Sequence, residues 1–244
     1  MSARACSLRV AVVALLAGCS LSAAEIVQFR SGQSGGLPGT PGSFDDSIRI
    51  NPWGNPGGAP VLNTAFTLGD FVATDGGPAA VVVAPIAQWM GGQTAPLSDP
   101  DARWINWTAD PFGQGTAGSV LYSVPFWVNT STITNAVLTF EGGADDVLGD
   151  WLFGGPNADG LYINGTPAGY QYVGFNYANP TTHVQNITGM ISPGQNYLYF
   201  YQRDAGFGVS GIIFSGTIDI VPAPGAAVLL GLAPLALGRR VRKA

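Results

Sequence analysis

Five acidic side chains fall within nineteen positions: Glu141, Asp145, Asp146, Asp150 and Asp159. Hard carboxylate oxygens at this density suit a structural Ca²⁺. The run Asp145-Asp146-Val147-Leu148-Gly149-Asp150 lacks the alternating ligands of an EF-hand, so any such site would be irregular. The same acids could supply the carboxylate pair of a glycosidase, which needs two carboxyl groups about 5–10 Å apart across a sugar cleft. A solvated acidic loop with no ligand is the plain alternative. Nucleophilic chemistry has less to draw on. His183 is the one histidine, it has no serine elbow near it, and a lone His without Cys does not make a usual zinc site. A surface loop or strand position is expected for it.

Aromatic rings are the second resource. Trp151, Tyr170, Tyr172 and Tyr177 stand in or near Gly-rich loops, where binding surfaces concentrate, and aromatic faces stack on the C–H faces of sugars. These four are the expected ligand-binding residues. Trp104 and Trp127 fall on predicted strands and are expected in the core.

The elements that must position these groups read as short strands between turn residues. Val120, Tyr122, Val124, Phe126 and Val128 alternate with Leu121, Ser123, Pro125 and Trp127, the period of a strand with two distinct faces. Ala136, Leu138 and Phe140 repeat the pattern, and Ile212, Phe214, Gly216, Ile218 and Ile220 form a long last strand. Leu161-Tyr162-Ile163 precedes Asn164-Gly165, a strong hairpin signal because both residues tolerate positive φ. No amphipathic helix of useful length is found in the body. Residues 31–60, rich in Gly and Pro, read as loop with one short strand around Ser47–Ile50. An all-β sandwich or jelly roll is the expected fold. The order Trp104-Ile105, Leu121 to Val128, Ala144-Asp145-Asp146, Leu161 to Gly165 and Gly194 to Leu198 resembles galactose-binding-like jelly rolls over roughly residues 80 to 220. That resemblance implies a body of the kind found in carbohydrate-active and surface proteins.

Charge is sorted along the chain. The whole sequence carries ten Lys+Arg against fifteen Asp+Glu, a formal −5. Between residues 25 and 221 there are four arginines, no lysine and all fifteen acids, a balance of −11. So anionic a body is a poor ligand for phosphates, which sets nucleic acid aside.

The remaining basic residues mark the ends. Arg4 and Arg9, the apolar Val10–Leu16 and the small residues Ser22-Ala23-Ala24 read as a signal peptide cleaved before Glu25. Leu16-Ala17-Gly18-Cys19 resembles a bacterial lipobox, the rival in which Cys19 is lipidated. Both cysteines, Cys6 and Cys19, lie in this segment, so the cleaved protein has no disulfide. At the other end Val221-Pro222-Ala223-Pro224 opens an uncharged stretch to Gly238, followed at once by Arg239, Arg240, Arg242 and Lys243. An 18-residue apolar helix spans only about 27 Å and keeps its basic end cytoplasmic. The three-part order resembles the PEP-CTERM sorting segment of exported bacterial proteins, with Ala223 where Glu is usual. The resemblance implies processing by an exosortase after transient membrane anchoring.

The expected organisation is therefore a signal peptide (1–24), a Gly/Pro-rich lead-in (25–60), a β-sandwich domain (61–220) and a sorting segment ending in a short hydrophobic helix (221–244). The expected protein is exported, non-catalytic, and binds extracellular polysaccharide, with a purely structural coat component or a two-carboxylate glycosidase as alternatives. No cofactor is expected beyond a structural Ca²⁺. Its expected partners are the export machinery, an exosortase-like enzyme and the membrane.

Overall fold

Alternation along the chain is what builds the protein. The structure, a computed structural model, describes residues 23–53, 64–112, 119–152, 154–168, 177–204 and 208–223. Residues 1–22 of the predicted signal peptide and 224–244 of the predicted sorting segment, with Pro224, Arg239 and Arg240, lie outside the described residues, as do Tyr170 and Tyr172. No helix among the described residues is long and apolar enough to cross a membrane.

The strands are β1 (Glu25–Arg30), β2 (Gln33–Ser34), β3 (Leu37–Pro38), β4 (Phe44–Trp53), β5 (Ala79–Val82), β6 (Ile105–Asn106), β7 (Ser119–Val128), β8 (Ile133–Asp145) and β9 (Val147–Leu148). They continue with β10 (Leu161–Ile163), β11 (Thr166–Pro167), β12 (Thr181–Asn186), β13 (Gly194–Arg203) and β14 (Gly211–Pro222). One α-helix, α1 (Leu68–Asp75), interrupts them. The fold is thus nearly all-β, as expected. Twelve strands form one curled antiparallel sheet in the order β11-β10-β13-β7-β4-β5-β6-β14-β8-β12, with β1 on β14 and β9 on β13. The hub is β14. It pairs with β8 from Gly211 opposite Asp145 to Pro222 opposite Ile133, and with β1 from Arg30 opposite Ser215 to Glu25 opposite Ile220.

The curl brings the β13 half over the β14 half, sandwich fashion. Phe200 of β13 stacks on Phe214 of β14 with ring centroids 4.4 Å apart, and Phe140 of β8 meets Phe200 edge-on at 5.3 Å. Val120, Tyr122, Val124, Phe126 and Val128 all enter this core, as do Ala136, Leu138 and Phe140. Gly216 is required there: a Cβ would stand 2.4 Å from the Thr139 carbonyl oxygen and 2.7 Å from Phe29. The Asn164-Gly165 turn joins β10 to β11 with φ of 51° and 78°, the expected hairpin.

Several expectations are corrected. Of the residues expected as loop, the described ones, 31–53, are not mostly loop, because β4 lies within them and joins the sheet; β1 precedes them and joins it too. Val27 and Phe29 turn toward the core, and the predicted strand at Ser47–Ile50 is the middle of β4. A short helix does exist. Asp70 accepts the Thr67 N–H at 2.8 Å at its start, and Asp75 at its end accepts from Ser123 Oγ (2.5 Å) and Tyr199 Oη (3.0 Å). Phe71 of α1 packs on Tyr162 and Tyr199, so α1 covers part of the outer face of β7, β10 and β13. That cover reaches Leu121 and not Trp127, whose side chain is 57% exposed rather than in the core. Trp104 is buried as expected and stacks on Trp89 at 4.3 Å. His183 is on a strand, β12, but buried against Phe140 rather than on the surface.

Candidate functional site

Where β8 ends, β13 ends and β14 begins, three carboxylates come to one place. Asp145 closes β8, Asp146 follows it through a cis peptide bond, and Asp204 follows β13. Local pairing sets their positions. The Asp146 N–H donates to the Arg203 carbonyl at 3.0 Å, β9 pairs with Gln202 and Arg203, and the Asp204 N–H donates to Ser119 Oγ at 3.0 Å. Beneath them Trp89 Nε1 donates to Asp145 Oδ2 at 2.6 Å, and Gln202 Nε2 donates to the Asp145 carbonyl. The indole sits against Gly211, where a Cβ would come within 2.5 Å of the ring.

These acids form one wall of a pocket of about 320 Å³. Its other walls are Tyr177 and Phe112, with Ile86, Gln88, Gly208 and Val209. The Tyr177 carbonyl is tied to the Trp89 loop by the Met90 N–H at 2.8 Å. Tyr177 is 37% exposed and Phe112 52% exposed. Burial pushes the Asp145 carboxyl up to about 7. The Trp89 hydrogen bond opposes this, while a hydrogen bond from the protonated Asp145 carboxyl to Asp146 and the charges of Asp146 and Asp204 add to it. Hydrogen bonding between two carboxyl groups requires one of them to hold a proton.

The sequence-predicted residues divide. Asp145, Asp146 and Tyr177 meet at this pocket, whereas the other acids do not. Glu141 accepts from the Ser98 N–H (2.9 Å) and Oγ (2.5 Å) on β8. Asp150 is buried with Arg203 Nη1 at 3.5 Å, Tyr201 Oη at 3.3 Å and the Asn157 N–H at 3.2 Å, and burial raises its pKa. Asp159 is half-buried, also with a raised pKa. The expected single acidic loop is therefore corrected: strand pairing and ion pairing disperse the five, and no group of three or more His, Cys, Asp or Glu side chains among the described residues is arranged to hold a metal ion. Trp151 is half-buried in the turn after Asp150. Val221 and Pro222 end β14, with Thr134 Oγ1 donating to the Val221 carbonyl at 2.9 Å, and Ala223 follows directly. Asp204, Phe112 and Gln88 were not foreseen, because only the fold brings them to Asp145.

Proton linkage gives this region a readable signature. The native pair keeps on Asp145 a proton that the unfolded chain releases near its ordinary carboxylate range. Asp145 therefore adds stability on the acid side that is lost as pH rises through about 7. His183 acts the other way, because burial lowers its pKa to about 4. Its contribution is present above the ordinary histidine range and is lost as pH falls through about 4. Between about pH 4 and 7, melting temperatures of Asp145→Asn should therefore rise with pH relative to the parent, and those of His183→Leu should fall relative to it. Thermal unfolding followed by circular dichroism across this window checks both, and relative slopes of the same sign would refute the assignment.

No protein-family model matches the chain, and no curated protein matches it. Among solved structures, a beta-glucuronidase from an uncultured Clostridium sp. shares 12% identity and aligns over 83% of this chain at a TM-score of 0.34. The chain spans 30% of the length of that structure.

Proposed function

We propose that this is an exported, non-catalytic cell-surface or matrix protein whose body, a jelly roll of the galactose-binding-like kind, binds extracellular carbohydrate at the Asp145 pocket. The observation that carries the reading is the presence of two solvent-exposed aromatic residues, Tyr177 and Phe112, beside hydrogen-bond acceptors in the lining of a single concavity. Rings of this kind stack on sugar faces while carboxylates accept from hydroxyls and fix orientation.

Titration of the purified protein against the producer's own polysaccharide, followed by calorimetry, tests the reading. Saturable binding is expected, and Tyr177→Ala should weaken it about tenfold, the worth of one stacking ring. A protein that self-assembles and binds no glycan would be a structural coat component instead.

A further inference from the structure

Two Asp–Pro bonds occur in the chain, Asp99–Pro100 and Asp110–Pro111, and the fold treats them differently. Such bonds are among the peptide links most easily broken by acid. The aspartate side chain reaches its own carbonyl carbon, and the tertiary proline nitrogen leaves more readily than an ordinary amide nitrogen. Both side-chain oxygens of Asp99 are taken. Oδ2 accepts from Arg30 Nε at 3.1 Å and from Ser215 Oγ at 2.6 Å, and Oδ1 accepts the Asp101 N–H at 3.0 Å. Asp110 is held by one oxygen: Oδ1 accepts the Phe112 N–H at 3.0 Å, and Oδ2 accepts from none of the described residues. The Asp110 carbonyl, the group that would be attacked, accepts from Thr108 Oγ1 at 2.7 Å, whereas that of Asp99 accepts the Ala102 N–H at 3.4 Å. A donor on a carbonyl oxygen stabilises the negative charge that grows there when the carbon is attacked. Beyond the bond, Pro111 is buried and its carbonyl accepts the Ser210 N–H at 2.9 Å.

We propose that the folded protein cleaves its own chain at Asp110–Pro111 under mildly acidic conditions. In the un-ionised carboxyl group, a side-chain oxygen of Asp110 attacks the Asp110 carbonyl carbon and forms the C–O bond of a five-membered cyclic anhydride. The bond from that carbon to the Pro111 nitrogen breaks, and the carboxyl proton passes to the nitrogen, which leaves as a secondary amine. Water then opens the anhydride, restoring the side chain and leaving a C-terminal carboxyl on Asp110. The residues hydrogen-bonded to this stretch, Thr108, Phe112 and Ser210, do not titrate; the titratable side chains that share the pocket wall with Phe112 are Asp145, Asp146 and Asp204. The first piece carries β1 to β6 and α1, and the second β7 to β14. Because β4 pairs with β7, and β1 and β6 pair with β14, the sheet holds the pieces together. The cut stands one residue from Phe112, so it alters the wall of the pocket rather than the core.

Prolonged incubation of the full-length protein at about pH 5, above the pKa of about 4 at which His183 charges, followed by mass spectrometry under denaturing conditions, tests this. Two fragments that meet at Asp110 and Pro111 are expected, with Asp99–Pro100 intact. Protein unfolded in urea at the same pH should cut both bonds at comparable rates, each slower than the Asp110–Pro111 cut in the folded chain. Thr108→Val should slow cutting of the folded chain about tenfold, the worth of one hydrogen bond, and Asp110→Ala should abolish it. Equal cutting at the two bonds of the folded protein would overturn the proposal, as would cutting no faster than in urea. An intact chain, or a Thr108→Val rate equal to that of the parent, would overturn it as well.

Discussion

Replacing Phe200 with alanine is expected to destabilise the protein by about 3–5 kcal/mol, the usual cost of truncating a fully buried phenylalanine. Phe200 is wholly buried at the point where the two halves of the curled sheet meet. It stacks on Phe214 at 4.4 Å, takes the edge of Phe140 at 5.3 Å and lies 6.4 Å from Phe29. Those partners belong to β14, β8 and β1, so one ring closes the first strand, the hub strand and its neighbour against β13. Removing it leaves a cavity whose walls are paired strands and cannot easily collapse. A flanking truncation such as Trp127→Ala removes an exposed ring and should cost far less. Urea unfolding followed by tryptophan fluorescence measures both, and comparable midpoint shifts would mean that this aromatic cluster does not hold the halves together.

Phe200 also shows what the sequence makes legible. Strands with one apolar face announce themselves by period two, which is why the inward set of β7, β8 and β14 could be read residue by residue. The outward set could not, because its burial depends on what covers it. Leu121 and Trp127 occupy the same face of one strand, yet α1 lies over the first and not the second. The helix itself is two turns long, contains Gly69 and carries too few apolar positions to show a helical period against its surroundings. β1 was hidden differently. Ile26 and Val27 form one apolar run beside a predicted cleavage site, and only the pairing of Glu25–Arg30 with Ser215–Ile220 reveals which of them faces inward.

The pocket was half legible for a related reason. Asp145, Asp146 and Tyr177 drew attention through residue type alone. Five acids close in sequence look like one cluster, but a strand turns successive side chains to opposite faces and a turn redirects the rest, so the cluster dissolves in space. Its actual partners, Asp204 and Phe112, come from distant chain segments and carry no local signature.

Asp45→Ala should be as damaging as the loss of Phe200, for an opposite chemical reason. The Asp45 carboxylate is buried and accepts four backbone N–H groups: Gly32 at 2.7 Å, Gln33 at 3.1 Å, Ser47 at 3.0 Å and Ile48 at 2.8 Å. Burial raises its pKa even so, the four hydrogen bonds offsetting part of the desolvation. Alanine would leave the donors of Gly32 and Ile48 buried without an acceptor, at about 1–3 kcal/mol each. The expected loss is about 3–5 kcal/mol once the Gln33 and Ser47 donors recover water. The consequence is specific in space, because these donors join the turn after β1 to the middle of β4. Its loss should free the lead-in segment before the core opens. Hydrogen exchange should therefore show the amides of Gly32, Gln33 and Ile48 losing protection in the variant while those of β13 keep theirs. Neighbouring Asp46 provides the control, since its carboxylate accepts the Gly35 and Gly36 N–H groups in full solvent. If Asp46→Ala lowered stability as much as Asp45→Ala, the effect would come from surface charge rather than from the buried acceptor.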